Sequence, residues 1–311
     1  MSKIKTVFIV GPTASGKTAL SIEVAKCFGG EIVSADSMQI YKGIHIASAA
    51  PDQEEMCGIK HHLIEFLERD RQYSVAEYVK AAKECINDIA QRGKLPIVVG
   101  GTGLYISSLL DNTEYIEEQT DYELRQSLEE KFDKVGAELM LEELAQFDCE
   151  TAKRLHNNDR RRIIRAFEVY LTSGKTLTEQ NELSHANESD LDPLVIGITF
   201  KDREILYERI NKRVEIMLSR GLLEEAREAF RKSGGNAANQ AIGHKELFGF
   251  LKGECTLEES AELLKRQTRR YAKRQLTWFR RDERINWVYP DVMTDILAEV
   301  SELTEEFLKE E

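Results

Sequence analysis

The segment GPTASGKT, residues 11–18, has the residue types and the spacing of a phosphate-binding loop. Its glycines let backbone N–H groups converge on phosphate oxygens, and the helix expected to follow adds the positive end of its dipole. Lys17 supplies a positive charge, and the hydroxyl of Thr18 can bind Mg²⁺. The predicted phosphate site consists of Gly11, Pro12, Thr13, Ala14, Ser15, Gly16, Lys17 and Thr18. The motif alone does not decide which anion binds there.

Two further segments place polar side chains where predicted strands end. Asp36 follows the apolar run EIVSA, and Thr102 follows LPIVVGG. Ligands of an open α/β sheet bind at the carboxyl ends of its strands, so both side chains are expected near the phosphate loop. Asp36 could act there as a Mg²⁺ ligand, a general base or a helix cap, and the spacing favours neither the base nor the cap. The amide of Gln39 could read the edge of an adenine, although a solvated surface glutamine is the default expectation.

Three basic segments could meet a polyanion. Arg209 and Arg213 lie four residues apart on one predicted helix face and could both face a diphosphate, although a solvated arginine stripe is more usual. Residues 158–165 contain four arginines against one aspartate, and residues 265–284 contain nine Lys/Arg against two acids. The second of these segments interleaves its cations with aromatic residues, which suits RNA. An exposed basic face opposite a buried aromatic face would give the same pattern.

A parallel sheet with its helices is expected to position these side chains, because short apolar runs alternate with helical segments. The predicted strands are KTVFIV, EIVSADS ending at Asp36, LPIVVGGTG, DPLVIGITF and INWVY. Helices are predicted over about 17–28, 74–93, 202–219, 222–232 and 257–282, with a last helix closing the chain. Capping boxes mark two helix starts, Ser74 with Glu77 and Thr256 with Glu259. The predicted fold class is α/β, a P-loop parallel-sheet core with helices on both faces.

The strand pattern stops after residue 113 and resumes near residue 191. Between these positions charged helical stretches follow one another, which indicates a helical insertion domain. The predicted organisation is therefore a first part of the P-loop core over 1–113, an insertion over 114–190, and a completion of the core with basic C-terminal helices over 191–311.

The composition excludes several classes of protein. The chain is 41% hydrophobic, and no apolar stretch approaches the roughly 20 residues of a membrane helix. No signal-peptide pattern is seen, and the five scattered cysteines never form CxxC, so we expect a cytoplasmic protein with reduced thiols and no membrane contact. Cys57, His61 and His62 make a poor set of metal ligands and are interpreted as structural or loop residues. The net charge of −12 argues against indiscriminate nucleic-acid binding but allows local contact with a polyanion.

Taken together, the motifs resemble one family, the bacterial tRNA dimethylallyltransferases, over nearly the whole chain. The matching segments, in the order of the family, are GPTASGKT, DSMQIYKG, HHLIE, GGTGLY, NDRRRIIRAFEVY, SGKTLTE, RINKRVEIML, IGHKEL and TRRYAKRQLTWFR. The phosphate loop is generic, whereas DSMQIY combined with AKRQLTWFR is highly specific.

The resemblance implies a substrate pair and a set of roles. The donor would be dimethylallyl diphosphate, and the acceptor would be the exocyclic amine of the adenine 3′ of the anticodon in tRNAs that read codons beginning with U. Asp36 would be the general base and would also contact tRNA. Lys17, Thr18 and Arg213 would act on the diphosphate, with Mg²⁺ as the cofactor. Further tRNA contacts are expected from Ser37, Met38, Gln39, Thr102, Arg125, Asn158, Asp159, Arg160, Arg161 and Arg162, and the insertion would bind tRNA.

The basic helix is expected to contact tRNA phosphates through Arg269, Arg270, Lys273 and Arg274, and changing Arg270 and Arg274 to alanine is expected to leave the donor affinity unchanged. Two segments depart from the family pattern. ASAAP, residues 47–51, stands where GTAKP is usual, so that Ala50 replaces a common lysine, and His244 stands where tyrosine is common. The first departure puts one possible phosphate or RNA contact in doubt.

Three other functions remain open from the residues. A P-loop kinase would use ATP and would typically need a second acidic metal ligand. An adenylate isopentenyltransferase would act on a free nucleotide and would leave the insertion and the basic helix without a purpose. A non-enzymatic RNA-binding protein is disfavoured by an intact phosphate loop beside Asp36. We expect the protein to act as a monomer.

Overall fold

The computed structural model describes residues 3–113, 115, 121–184, 189–231 and 241–310. Two compact units are present, one made of Met1–Leu110 with Ser189–Glu311 and the other of Asp111–Glu188. The first unit is an α/β layer structure and the second is helical in its described part.

The α/β unit is built on a parallel sheet. Its described strands are β1 Ile4–Val10, β2 Glu31–Ser34, β3 His61–His62, β4 Pro96–Gly100, β5 Leu191–Ile198 and β6 Ile285–Val288. They lie in the order β3-β2-β4-β1-β5-β6, and each pairs with its neighbour in parallel. β1 is central, so the loop that follows it opens in the middle of the carboxyl edge. The predicted α/β fold class is confirmed.

Two details of the sheet differ from the prediction. β2 ends at Ser34, so Asp36 belongs to the following turn. β3 was not predicted, because two histidines show no apolar run. It forms because β2 offers a free edge to His61 and His62, and because His62 Nε2 lies 2.8 Å from the buried Glu31 carboxylate.

The helices, in chain order, are α1 Lys17–Phe28, α2 His45–Ser48, α3 Val75–Gln91, α4 Gly103–Leu110, α5 Tyr122–Phe147, α6 Cys149–Arg154, α7 Arg160–Ser173, α8 Leu177–Ser184, α9 Arg203–Ser219, α10 Leu222–Arg231, α11 Phe248–Leu251, α12 Leu257–Phe279 and α13 Ile296–Lys309. Both predicted capping boxes are formed, at the starts of α3 and α12. α12 ends three residues before the predicted position 282.

Helices cover both faces of the sheet. The Val7 and Ile9 side chains of β1 point to one face of the sheet, where side chains of α1 and α13 complete a buried cluster. Phe8 points to the opposite face because side chains alternate along a strand, and α3 packs on β1, β2 and β4 there. The apolar burial on both faces explains why the strands read as continuous hydrophobic runs.

The helical unit has a core of its own. Its buried residues come from α5 and α7: Leu128, Met140, Leu144, Ile163, Ile164, Ala166 and Phe167. α5 is interrupted at Gly136, whose φ of +83° is unfavourable for any residue with a β-carbon.

No helix in the described ranges is long and apolar enough to cross a membrane. The predicted cellular location and oligomeric state stay predictions.

Candidate active site

The loop after β1 has a conformation that depends on its glycines. Gly11 has a φ of +150°, and a β-carbon there would lie 2.3 Å from the carbonyl oxygen of Ile198 on the neighbouring strand. Lys17 folds back over the loop and donates a hydrogen bond from Nζ to the carbonyl of Pro12 at 2.7 Å. The hydroxyl of Ser15 is buried and has no hydrogen-bond partner among the described residues. A group rich in acceptor oxygens fits such a loop.

Two helices hold the loop from outside. The backbone N–H of Thr13 donates to Gln275 Oε1 at 2.9 Å, and Gln275 Nε2 donates to the carbonyl of Gly101 at 2.9 Å. This buried glutamine therefore ties the loop to the end of β4. Arg209 donates from Nε to the carbonyl of Ala14 at 2.9 Å and does not line the cavity described next. This bond uses only Nε of the guanidinium, and Nη2 lies 3.9 Å from where a β-carbon of Gly16 would be, so the interpretation that Arg209 could face a diphosphate stays a prediction.

A cavity of about 310 Å³ opens beside the loop within the α/β unit. One set of lining side chains is polar: Thr13, Lys17, Thr18, Asp36, Arg213, Lys245, Tyr271 and Arg274. Another set is apolar: Ala47, Val99, Val214, Met217, Ile242 and Leu264. The cavity can therefore hold a ligand with an anionic end and a hydrocarbon end.

α9 and α12 order these two ends along the cavity. They run antiparallel, since Arg269 bonds Asn211 at 2.5 Å and Lys265 bonds Glu215 at 3.0 Å. On α9, Met217 lies one turn beyond Arg213, about 6 Å along the axis. Because the two helices run antiparallel, going from Tyr271 back to Leu264 on α12 follows the same direction as going from Arg213 on to Met217 on α9. Both helices thus place charge near the phosphate loop and hydrocarbon farther away.

The cations at the polar end repel each other and are partly removed from water. Burial first, and then the charge of Arg213, lower the pKa of Lys17 to about 7, while Asp36 partly offsets the shift. Burial also lowers the pKa of Arg213, against the favourable charge of Asp36. Burial and then Asp36 raise the pKa of Tyr271 above its usual value. A bound anion would relieve the cost of holding both cations together.

Asp36 uses one of its oxygens within the protein. Oδ1 accepts hydrogen bonds from the backbone N–H of Met38 at 2.9 Å and of Gln39 at 3.4 Å. No partner of Oδ2 is found among the described residues. The neighbouring Ser37 N–H donates to Thr102 Oγ1 at 3.0 Å, which joins the ends of β2 and β4. Asp36 therefore caps a turn with one oxygen and keeps the other for a ligand.

The default expectation for Gln39, a solvated surface side chain, is wrong. Its Oε1 accepts from Ser34 Oγ at 2.9 Å, and its Nε2 donates to the carbonyl of Ala49 at 3.2 Å. Each end of the amide thus forms one hydrogen bond, and one N–H and one lone pair remain beside the cavity that Gln39 lines.

The helical unit carries the other arginines implied by the resemblance. Arg125 forms two hydrogen bonds to the buried carboxylate of Glu168, one of them at 2.9 Å. Arg160 pairs with Asp133. Arg162 lies 3.6 Å from Asp159. Within residues 158–162, Asn158 and Arg161 are exposed, and neither side chain has a hydrogen bond or ion pair among the described residues.

α12 shows both of the patterns considered for the basic segment. Ala272, Gln275 and Phe279 are buried, whereas Arg270 and Lys273 are exposed without a partner in the described part of the chain. Arg274 differs, because it lines the cavity and lies 5.6 Å from the Tyr271 ring centre. The two arginines predicted to act together on tRNA are therefore not equivalent.

Few of the described residues could bind Mg²⁺ directly. No group of three or more metal-binding His, Cys, Asp or Glu residues occurs among the described residues. Thr18 lines the cavity, and Mg²⁺ typically combines few protein ligands with water and phosphate oxygens. The residues fit Mg²⁺ only together with a bound diphosphate.

Sequence reasoning did not assign several lining residues. Gln275, Thr268 and Leu264 lie on one face of α12 at spacings of seven and four residues, which is the signal that could have grouped them. Met217 lies four residues after Arg213 on α9, which is the same kind of signal, whereas Lys245 carries none because it reaches the cavity from a separate segment.

The central strand, the loop and the cavity at the carboxyl edge define a P-loop α/β protein with an anion site. The chain matches the family described as IPP transferase over residues 39–282. It is 48% identical to a tRNA dimethylallyltransferase of Thermoanaerobacter sp. (strain X514), over 93% of this chain and 92% of the relative. It is 45% identical to the Bacillus subtilis (strain 168) protein of that name, over 92% and 91%.

Solved structures agree with these relatives. The Staphylococcus epidermidis tRNA delta(2)-isopentenylpyrophosphate transferase is 42% identical with a TM-score of 0.71, covering 98% of this chain and 99% of that one. A eukaryotic dimethylallyltransferase acting on tRNA has a TM-score of 0.82 at 29% identity, over 98% and 79%. The chain therefore belongs to the IPP transferase family, and the predicted family is confirmed.

Proposed function

We propose that this protein transfers the dimethylallyl group of dimethylallyl diphosphate to an adenine of tRNA and releases diphosphate. The acceptor is the exocyclic amine of the adenine 3′ of the anticodon in tRNAs that read codons beginning with U. The relatives named tRNA dimethylallyltransferase support the reaction. The resemblance of the motifs supports the choice of adenine.

The cavity is the observation that carries the choice of donor. Lys17 and Arg213 stand at one end, and Met217 and Leu264 stand about one helical turn away at the other. An allylic diphosphate presents its charge and its hydrocarbon in the same order. The diphosphate binds the phosphate loop, and the five-carbon group lies against the apolar wall.

The loss of diphosphate is assisted by charge that is already in place. As the allylic C–O bond breaks, negative charge grows on the leaving oxygens, and Lys17 and Arg213 stabilise it more strongly than they stabilise the intact donor. Thr18 would help to hold Mg²⁺ together with the diphosphate, and the ion would supply further charge neutralisation there. The allylic carbon becomes partly cationic, and the apolar wall keeps water away from it.

The acceptor amine forms the new C–N bond as the C–O bond breaks. A carboxylate is too weak a base to deprotonate an adenine amine beforehand, so the Oδ2 atom of Asp36 takes the proton as the amine becomes cationic. A stacked adenine cannot reach this position, and the base must therefore be flipped out of the anticodon loop. The exposed cations of α12 and of residues 158–162 bind the tRNA backbone.

The alternatives fit the cavity less well. Asp36 is the one carboxylate among the described residues that line it, whereas a kinase typically needs a second acidic metal ligand. A free-nucleotide enzyme would not need Arg270 and Lys273 exposed and unpaired within the described chain.

The deciding experiment is incubation with dimethylallyl diphosphate, Mg²⁺ and total tRNA, followed by mass spectrometry of the nucleosides. We expect dimethylallylated adenosine, confined to tRNAs reading U-initial codons. Parallel reactions with AMP as acceptor, and with ATP in place of the donor, should give no product. Prenylated AMP, or turnover of ATP, would overturn the proposal in favour of the corresponding alternative.

A further inference from the structure

A buried histidine–glutamate pair lies beside the cavity and takes no part in the chemistry above. His244 is 0% exposed, and its Nε2 lies 2.8 Å from Glu225 Oε1. The other ring nitrogen, Nδ1, has no hydrogen-bond partner among the described residues. Burying an imidazole and a carboxylate costs desolvation energy, and apolar residues of similar size often stabilise a core as well or better. The pair therefore calls for a role other than bulk stability.

Glu225 holds the start of α2. Its Oε2 accepts from the backbone N–H of Ile46 at 2.8 Å, and its Oε1 accepts from that of Ala47 at 3.0 Å. Burial alone would raise the pKa of Glu225, but the hydrogen bonds from His244 and from these two amides lower it. Glu225 is therefore ionised at neutral pH, and its carboxylate accepts the hydrogen bond from Nε2 of His244.

The pair joins two walls of the cavity. Ala47, Ser48 and Ala49 line one wall, and Ile242 on the His244 segment lines another. Gly243 packs so closely on α2 that a β-carbon there would lie 3.2 Å from the Ala47 methyl group. The two segments that depart from the family pattern, ASAAP and the one containing His244, thus meet at one carboxylate.

We propose that His244 and Glu225 are positioning residues that set the distance between these two walls and so determine how tightly the hydrocarbon of the donor is held. The inference rests on the proposed function. Dispersion contacts weaken steeply when a wall moves by less than 1 Å. The diphosphate contacts come from the phosphate loop and from Arg213 on α9, to which neither His244 nor Glu225 is hydrogen-bonded. Loss of the pair should therefore weaken binding of the hydrocarbon and spare binding of the diphosphate.

The test compares two ligands on the same variants by titration calorimetry: inorganic pyrophosphate and the unreactive dimethylallyl thiolodiphosphate. His244→Phe should bind the thiolodiphosphate about tenfold more weakly, since one buried charge-assisted hydrogen bond is lost. Its affinity for pyrophosphate should stay at the wild-type value. His244→Gln, whose amide nitrogen can donate from about the place of Nε2, should restore the affinity for the thiolodiphosphate.

A matched pair elsewhere in the same unit provides the control. His62 and Glu31 are also 2.8 Å apart but do not line the cavity. His62→Phe should therefore leave the ratio of the two affinities unchanged. If His244→Phe is poorly folded, Glu225→Gln replaces it, since its amide nitrogen would face the N–H of either Ile46 or Ala47 and should cause the same selective loss.

Two results would overturn the positioning role. Either both ligands weaken in parallel in His244→Phe and Glu225→Gln, as general loosening would require, or neither ligand changes. In steady state, the donor KM should rise while kcat and the tRNA KM stay near the wild-type values. Failure of the proposed function would look different, because the wild-type protein itself would then form no dimethylallylated adenosine.

Discussion

The cations of the cavity and those of the helical unit are the same residue types in opposite electrostatic surroundings. Burial and mutual repulsion lower the pKa of Lys17 to about 7, and burial lowers that of Arg213. In the helical unit, the hydrogen bonds from Arg125 to Glu168 raise the pKa of Arg125, and those from Arg160 to Asp133 raise that of Arg160. Within the described part of the chain, Lys17 and Arg213 have no carboxylate bonded to them in this way and are suited to bind an anion. Arg125 and Arg160 are each already neutralised by a carboxylate.

The opposite directions of these pKa shifts indicate which arginines are suited to bind a ligand. Sequence patterns mark both regions as basic, because they register residue type and spacing. The direction of the pKa shift reports instead whether burial or a hydrogen-bonded carboxylate dominates the surroundings of each cation. By this criterion Arg213 is the stronger candidate for a cation that binds the donor, whereas Arg125 and Arg160 are paired with carboxylates of their own unit, and their predicted tRNA contacts stay predictions.

The largest expected effect comes from the carboxylate that the cavity leaves unpaired. Asp36→Ala should lower the rate of transfer by about 10²–10⁴-fold, because the proton acceptor is lost. Binding of tRNA should change little. Single-turnover transfer and filter binding measure the two quantities. Wild-type transfer in this variant would show that Asp36 is not the base.

Removing the uncompensated cations should cost almost as much. Lys17→Ala and Arg213→Ala should each slow transfer by about 10²–10³-fold and weaken donor binding, since both stabilise one growing charge. The double variant should lose less than the product of the single losses. Strictly additive free energies in kcat/KM would argue against a shared diphosphate. Arg209→Ala should have a smaller effect, because Arg209 acts through the loop backbone.

Loss of the ion pair between Arg125 and Glu168 should lower the stability of the helical unit instead of the rate of transfer. Glu168→Gln should destabilise the helical unit by about 1.5–3 kcal/mol, because hydrogen bonds from the Arg125 guanidinium to a buried carboxylate lose their charge. Glu143→Gln is the matched control, since the Glu143 side chain is 46% exposed whereas that of Glu168 is 6% exposed, and the pair of Glu143 with Lys131 should contribute less than about 1 kcal/mol. Urea unfolding followed by circular dichroism measures both. Equal losses would remove the distinction between the two kinds of pair.

The depressed pKa of Lys17 predicts a pH dependence of donor binding. Below pH 7 Lys17 is charged in the free protein, and above pH 7 it must take up a proton when the diphosphate binds. The affinity should therefore fall by up to about tenfold per pH unit above 7. Calorimetry in buffers of different ionisation enthalpy measures the proton uptake. Lys17→Met corrects for ionisation of the ligand itself and should abolish the uptake assigned to Lys17.

The smallest expected effect concerns tRNA binding by exposed cations. Arg270→Ala with Lys273→Ala should lower the slope of log affinity against log salt by about 0.7–0.9 for each lost contact, for all substrate tRNAs alike. Arg161→Ala should lower the slope more than Arg160→Ala, because Asp133 already neutralises Arg160. A wild-type slope in the α12 double variant would make that face an ordinary solvated surface. Arg274 is left unchanged here because it lines the cavity.

The chain sequence by itself determined the local features of this protein. Capping boxes join residues three positions apart, strands follow from short apolar runs, and the phosphate loop is eight consecutive residues. Each depends on neighbours in the chain, so the pattern contains the cause. For the same reason Lys17, Asp36 and Arg213 could be named in advance as candidates, since each lies in a recognisable motif.

Only the tertiary structure decided which side chains meet. Gln275 accepts a hydrogen bond from Thr13, 262 positions away in the chain, and Glu225 accepts one from Ile46, 179 positions away. β3 forms because β2 offers it a free edge. Gln39 and Arg209 have ordinary surface patterns, yet both are engaged with backbone carbonyls of distant loops. Hydrogen bonds and charge depend on distances of a few ångströms, and the spacing of residues along a chain does not contain those distances until the packing of the core has set them.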